Sequence, residues 1–76
     1  MKAFITGGAG FIGSNLTDRL LQNDHEVRVY DNLSTGQLRF LDDAKNDERF
    51  SFVEGDLLDE DTLSKAMEGF QMVFHF

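Results

Sequence analysis

The 76-residue sequence contains no cysteine, no proline and a single tyrosine, Tyr30. Without cysteine the chain has no disulfide and no thiolate ligand, and only two distant histidines remain, His25 and His75, so we expect no metal site. No apolar run approaches the roughly 20 residues that cross a bilayer. Met1 and Lys2 lead directly into a predicted strand rather than a signal peptide. These absences favour a cytoplasmic protein with no membrane partner.

Positive charge is also scarce. Seven Lys and Arg residues face 14 Asp and Glu residues, which gives a net charge of −7. Residues 1–41 are balanced, and the whole acidic excess lies from Asp42 onward, where we expect a solvated surface. Because a phosphate backbone attracts a basic surface, this charge argues against nucleic acid as a partner. The length allows one domain at most, with marginal stability expected from its small buried core.

Short apolar strands alternate with helical patterns along the chain. Strands are predicted over residues 2–6, 27–30, 50–54 and 71–75. Helices are predicted over residues 11–22, over residues 37–44, and between a cap at Asp59 and a stop at Gly69. Such alternation is typical of parallel strands joined by right-handed crossovers, so the sequence predicts an α/β fold of the form β-α-β-α-β-α-β.

The first predicted helix has a clear apolar period. Ile12, Leu16 and Leu20 recur every four residues and form one stripe, with Gly13 on the same side. Asn23 is a plausible stop for this helix.

A glycine-rich segment joins the first strand to the first helix. Gly8, Gly10 and Gly13 match the spacing G-x-G-x-x-G, and Gly7 starts the variant G-x-x-G-x-x-G. Such glycines permit a sharp turn, a close approach to a diphosphate and tight packing of helix on strand. The helix N-terminus adds free N–H groups and a positive dipole end. A purely structural turn is the alternative, but Asp31 follows at the expected distance, which favours nucleotide phosphate binding.

Four segments occur in an order and spacing typical of one family. They read T-G-G-A-G-F-I-G over residues 6–13, D-N-L-S-T-G over 31–36, G-D-L over 55–57 and V-F-H over 73–75. On these residues the whole chain resembles the N-terminal part of an extended short-chain dehydrogenase/reductase. Within that class it is most similar to the NAD-dependent sugar-nucleotide epimerases and dehydratases, the UDP-glucose 4-epimerase group above all. The motifs do not identify the sugar.

The resemblance implies a fold and a cofactor. Residues 1–76 are expected to form half of a Rossmann fold, a truncated NAD-binding domain with a parallel sheet in the order 3-2-1-4. Its first two helices lie on one face and the third on the other. With NAD as cofactor, backbone groups of Gly7, Gly10, Phe11 and Ile12 are implied to line the diphosphate.

The resemblance places a second group of residues on the adenosine half of the cofactor. Asp31 is implied to bind the ribose hydroxyls, and its charge would repel a 2′-phosphate, so NAD is favoured over NADP. Asp31 can also be read as an ordinary carboxylate at a strand end. Asn32, Ser34 and Gly36 are implied to contact the adenosine.

Two residues after the third strand complete this implied site. Asp56 is implied to accept a hydrogen bond from the adenine amino group, with a simple turn residue after Gly55 as the alternative. Leu57 is implied to pack on the adenine or to donate its backbone N–H.

The catalytic residues of that family are missing. The family uses a tyrosine with a lysine four residues later, and a serine or threonine. Tyr30, the only tyrosine, is predicted as a strand residue, and His75 as a structural one rather than a general base. Phe76 stands where the family continues with leucine. No catalytic residue is therefore assigned.

Several functions remain open at this stage. The first is a binding module for the ADP part of NAD that performs no chemistry. The second is a truncated or split epimerase or dehydratase that needs a C-terminal partner, and the third is a structural or assembly unit with a vestigial site. A methyltransferase-like nucleotide site is a further alternative, against which Gly13 and the run over residues 32–36 argue.

The last strand is predicted to be an unprotected edge of the sheet. Met72, Val73, Phe74 and Phe76 make it apolar, and neither lysine nor proline interrupts it. We therefore expect a homodimer in which this strand pairs with its copy around a two-fold axis, unless a missing C-terminal half covers it.

Overall fold

The computed structural model describes residues 1–7, 9–33 and 38–75. The regular elements in these ranges are β1 (Lys2–Thr6), α1 (Phe11–Gln22), β2 (Glu26–Asp31), β3 (Phe50–Glu54), α2 (Glu60–Met67) and β4 (Met72–His75). All strand pairs are parallel, and the sheet order is β3-β2-β1-β4. This is the predicted order 3-2-1-4. No helix in the described ranges is both long enough and apolar enough to cross a membrane.

Helices cover both faces of the sheet because consecutive strand residues point to opposite sides. Ile5 and Val29 are buried on the face that α1 covers, together with Leu41 from the β2–β3 connection. Phe4 and Tyr30 are buried on the other face, under α2. The predicted placement of the third helix opposite the first is therefore confirmed.

The predicted helix over residues 37–44 is wrong in its type. The described part of this connection contains two 3₁₀ segments instead, Leu38–Leu41 and Ala44–Asn46. Leu38, Leu41 and Ala44 recur every three residues, which is the period of a 3₁₀-helix rather than an α-helix. Leu41 and Ala44 are buried in the core beside α1. Residue 37 lies outside the described ranges.

The apolar stripe predicted for α1 is also partly wrong. Ile12 is 68% exposed, and the two leucines of the stripe are only partly buried. The buried face of α1 consists of Gly13, Ser14, Thr17 and Leu21. Small residues allow the helix to approach the sheet closely, and the Thr17 hydroxyl stays satisfied because it donates to the Gly13 carbonyl at 2.9 Å. A pattern of large apolar residues does not include these small and hydroxyl-bearing residues, so it could not predict this buried face.

The helix boundaries agree with the sequence signals. The Asp59 carboxylate caps α2 by accepting from the Thr62 backbone N–H at 3.2 Å and the Thr62 hydroxyl at 2.7 Å, as predicted. Asn23 is the C-cap of α1, also as predicted. Gly69, with φ of +83°, follows the end of α2. β2 is one residue longer at each end than predicted, and β4 begins one residue later.

Candidate functional site

The turn between β1 and α1 is built on glycine. Gly7 has φ of +74°, a left-handed conformation that side chains with a Cβ rarely adopt. Its N–H donates to the Tyr30 carbonyl of β2 at 2.9 Å, and its own carbonyl accepts from the Gly10 N–H at 3.3 Å. The chain therefore reverses tightly at the carboxyl end of β1 and enters the helix at Gly10.

The N-terminus of α1 has neither a side-chain cap nor an acidic residue. Gly10 is the N-cap and makes no side-chain hydrogen bond, and the first turn contains no Asp or Glu. The N-terminus of α2 differs, because Asp59 caps it and Glu60 and Asp61 occupy its first turn. The first N–H groups and the positive dipole end of α1 are thus left for an external anion.

A cleft of about 610 Å³ opens at the carboxyl ends of β1, β2 and β3. The residues that line it are Gly7, Gly10, Phe11, Ile12, Gly13, Tyr30, Asp31, Asn32, Gly55 and Leu57. Ligands of parallel α/β sheets bind in crevices outside the carboxyl ends of the strands. Phe11 and Ile12 are each 68% exposed, so apolar side chains stand open beside the uncapped helix end.

Seven of the ten residues predicted to bind a cofactor line this cleft. They are Gly7, Gly10, Phe11, Ile12, Asp31, Asn32 and Leu57. Asp56 is not among the lining residues, and Ser34 and Gly36 lie outside the described ranges, as does Gly8 of the glycine motif. Tyr30 and Gly55 also line the cleft, although the sequence predicts no such role for them, and so does Gly13, which the motif predicts as a packing residue.

The Asp31 carboxylate lies between the two segments that follow β1 and β2. Its Oδ2 accepts a hydrogen bond from the Ala9 N–H at 3.0 Å, and its Oδ1 accepts one from the Leu33 N–H at 2.8 Å. Asp31 is partly exposed and lines the cleft. The only acidic side chain among the described lining residues therefore faces the cleft from the wall next to the helix end.

Asp56 stabilises the turn after β3. Its Oδ1 accepts from the Leu58 N–H at 2.9 Å, which is the geometry of an Asx turn. Its backbone carbonyl accepts from the Tyr30 hydroxyl at 2.7 Å. The alternative role as a turn residue thus describes what its carboxylate does here, and the contact with adenine stays a prediction.

Tyr30 supports the cleft from below. It is 1% exposed, and burial, together with the nearby carboxylates of Asp59 and Asp56, raises the pKa of its hydroxyl. A Cβ at Gly55 would overlap the Tyr30 hydroxyl, so Gly55 permits the close approach of the ring. The sequence signal for this contact was the glycine directly after β3. A protonated, buried hydroxyl that already donates to the Asp56 carbonyl is a structural group.

Neither of the two histidines is among the described residues that line the cleft. The His75 imidazole at the end of β4 is hydrogen-bonded through Nδ1 to the Thr6 hydroxyl of β1, which links two neighbouring strands. Within the part of the chain that the structure describes, no three His, Asp or Glu side chains are grouped as metal ligands would be.

Comparison with known proteins identifies the family. The model of the NAD dependent epimerase/dehydratase family matches residues 3–76. This chain belongs to that family. The family resemblance and the half-Rossmann fold predicted from the motifs are thereby confirmed, and the family's cofactor is NAD.

Individual members of the epimerase/dehydratase family give the scale of the match. The chain is 43% identical to a UDP-glucose 4-epimerase from Mycolicibacterium smegmatis over 99% of its own length and 24% of the relative's. It is 43% identical to a dTDP-glucose 4,6-dehydratase from Actinoplanes sp. over 100% of its own length and 26% of the relative's. It also superposes on WbmG from Bordetella bronchiseptica, solved in complex with NAD, with a TM-score of 0.89 and 37% identity. This match covers 100% of the chain and 24% of WbmG. The chain thus spans about a quarter of these relatives.

Proposed function

We propose that this chain binds the ADP half of NAD in the cleft between β1, β2 and α1. The observation that carries the proposal is the acid-free, uncapped N-terminus of α1, whose first turn lines the cleft beside Gly10. An α-helix places roughly half a positive charge at this end. A diphosphate supplies both the negative charge and the acceptors that these N–H groups lack.

Gly10 gives independent support for a diphosphate site. Its φ of −77° and ψ of 172° suit any residue. Among the described residues, a Cβ built there meets only the Gly7 carbonyl oxygen, at 3.6 Å, which is ordinary contact. The fold therefore does not require glycine at this position, whereas a ligand that approaches the backbone does.

Asp31 is proposed to bind the adenosine ribose. A carboxylate accepts hydrogen bonds from two hydroxyls, and its charge disfavours the 2′-phosphate of NADP. Asn32 and Leu57, which line the cleft, are proposed to contact the adenosine and the adenine. Ser34 and Gly36 are proposed on the same side, and Asp56 beside the adenine amino group.

The chain is further proposed to be one part of a sugar-nucleotide epimerase or dehydratase. It spans about a quarter of its curated relatives, and its only tyrosine is buried and structural. The residues that perform the chemistry would then belong to a further segment, and this part would hold the cofactor. The rival function, an independent NAD-binding module, predicts full affinity for NAD without any added segment.

Parallel titration calorimetry of the chain with ADP, NAD, NADP and S-adenosylmethionine tests the binding proposal. We expect ADP and NAD to bind, NADP to bind more weakly, and S-adenosylmethionine not to bind, since it has no diphosphate. Equal affinities for NAD and NADP would contradict the role given to Asp31. If S-adenosylmethionine were the only one of the four ligands to give a binding signal, the methyltransferase-like alternative would be favoured.

The free edge of β4 supports a proposal about assembly. β4 is the last strand of the sheet on its side, and Val73 in its middle is 51% exposed. We propose that another strand covers this edge, from a second copy or from the further segment of the enzyme. Sedimentation equilibrium of the chain alone tests the second copy: a dimer mass supports it, and a monomer mass at all concentrations counts against it.

A further inference from the structure

The Asp31 carboxylate holds the walls of the cleft together through two backbone N–H groups. Its Oδ2 binds the N–H of Ala9, 22 residues earlier in the chain, and its Oδ1 binds the N–H of Leu33. We propose that Asp31 is a positioning residue for the diphosphate-binding turn, in addition to being the ligand of the ribose. This inference rests on the proposed function, because it concerns the same cleft.

Ala9 lies in the middle of the turn, between the left-handed Gly7 and the N-cap Gly10. It is 0% exposed and packs in the core under α1, so its N–H is shielded from water. A buried N–H needs an acceptor, and Asp31 Oδ2 at 3.0 Å is the acceptor. Removal of the carboxylate therefore leaves the Ala9 N–H without this acceptor, while the Gly7 N–H still holds the start of the turn to the Tyr30 carbonyl.

The second bond of Asp31 holds a backbone conformation that leucine rarely adopts. Leu33 has φ of +63°, in the left-handed region that is unfavourable for residues with a Cβ. Its side chain packs against the core under α1, and its N–H donates to Asp31 Oδ1 at 2.8 Å. One carboxylate thus fixes both the segment that follows β1 and the segment that follows β2.

These bonds leave capacity for a ligand. An ionised carboxylate has about four lone-pair sites, and two are occupied by Ala9 and Leu33. The other two can accept the ribose hydroxyls while the turn stays in place. Because Asp31 holds the Ala9 N–H before the diphosphate arrives, binding does not have to order this residue. Asp31 therefore supports the diphosphate at a distance as well as the ribose directly.

The two roles separate when the ribose hydroxyls are deleted from the ligand. The affinity for ADP depends on both roles of Asp31. The affinity for 2′,3′-dideoxy-ADP, which has no ribose hydroxyls for Asp31 to bind, depends only on how Asp31 positions the turn. We expect Asp31→Ala to weaken binding of both ligands, with a loss of about tenfold for 2′,3′-dideoxy-ADP, the order expected when one backbone residue must be ordered on binding. Amide hydrogen exchange of Ala9 in the ligand-free chain should accelerate in the same variant.

Asp47→Ala is the matched control. Asp47 Oδ1 accepts the N–H of Arg49 at 2.9 Å, the same two-residue geometry as Asp31 with Leu33, but Asp47 does not line the cleft. This variant should leave both nucleotide affinities and the exchange of Ala9 unchanged. If Asp31→Ala does not fold, Asp31→Asn serves the same comparison, because an amide has one acceptor oxygen instead of two.

The outcomes distinguish this inference from the function on which it rests. A variant that loses Ala9 protection and keeps its affinity for 2′,3′-dideoxy-ADP overturns the inference, and so does Asp31→Ala with Ala9 protection intact. In both cases the unmutated chain still binds ADP, so the proposed function stands. Failure of the unmutated chain to bind either nucleotide overturns both.

Discussion

The substitution Gly10→Ala separates the demands of the fold from the demands of the ligand. The position has φ of −77° and ψ of 172°, which alanine adopts without strain. Among the described residues the new Cβ meets only the Gly7 carbonyl oxygen, at 3.6 Å. We therefore expect the free energy of unfolding to change by less than about 1 kcal/mol, because alanine has fewer unfolded conformations than glycine but is the less favourable N-cap residue.

The same methyl group stands where the diphosphate is proposed to approach the backbone. Forcing an extra methyl group into a filled space costs about 1–3 kcal/mol. The affinity for ADP should therefore fall by roughly fivefold to 150-fold, since 1.4 kcal/mol corresponds to a factor of ten. Calorimetric titration with ADP measures the loss, and a urea unfolding curve of the same preparation measures the stability.

Gly69→Ala is the control for this comparison. Gly69 has φ of +83°, has open space around its Cβ position and does not line the cleft. Alanine there should cost about 1–2 kcal/mol of stability and leave the affinity for ADP unchanged. If Gly10→Ala lowers the stability as much as Gly69→Ala does, or binds ADP as tightly as the unmutated chain, Gly10 is not reserved for a ligand.

Three further predictions concern Gly55, Asp31 and Asp59. Gly55→Ala should destabilise the fold by about 1–3 kcal/mol, because its Cβ overlaps the Tyr30 hydroxyl, and thermal unfolding should show a lower Tm. Asp31→Ala should narrow the ratio of NAD to NADP affinity, as measured by calorimetry; an unchanged ratio would refute the charge argument. The hydrogen bonds from Thr62 hold the pKa of Asp59 below its usual 3.8, so the stability advantage over Asp59→Ala should be full above that pH and decline as the pH falls through the lower value. Urea midpoints across this pH range measure it, and a constant advantage would contradict the sign.

The elements that the sequence predicted well carry their signals locally. A run of consecutive apolar residues marks β1 as a strand buried on both faces, β-branched and aromatic residues mark β2, and Asp59 marks the start of α2. The glycine motif predicted the turn after β1, because the left-handed φ of Gly7 is a backbone requirement, and the cleft opens beside that turn.

The predictions were wrong where packing, rather than the period of apolar residues, determines the helix type or the buried face. The sequence between Leu38 and Ala44 predicts an α-helix, but the chain forms 3₁₀ turns there. Ile12 was assigned to the buried stripe of α1, yet the helix packs through small residues around Gly13 and Thr17, and Ile12 remains exposed beside the cleft.

The contacts that define the cleft could not be predicted from the sequence. The Tyr30 hydroxyl meets the backbone at Asp56, and the Asp31 carboxylate reaches back to Ala9. Each joins a residue of β2 to a residue more than 20 positions away, in the segment after a neighbouring strand, and only the folded sheet fixes the register of these strands. The sequence nevertheless located Asp31 correctly at the end of β2, since its position depends only on where the strand ends.

The uncapped end of α1 is proposed to receive a diphosphate, and backbone amide NMR shifts during a titration with NAD report on this contact residue by residue. Saturable shifts are expected to be largest at Gly10, Phe11 and Ile12, with a second group at Asp31 and Asn32. Residues 43–49 precede the amino end of β3, whereas the cleft lies at its carboxyl end, so they should not respond. Shifts concentrated outside the cleft, or none at saturating NAD, would contradict it.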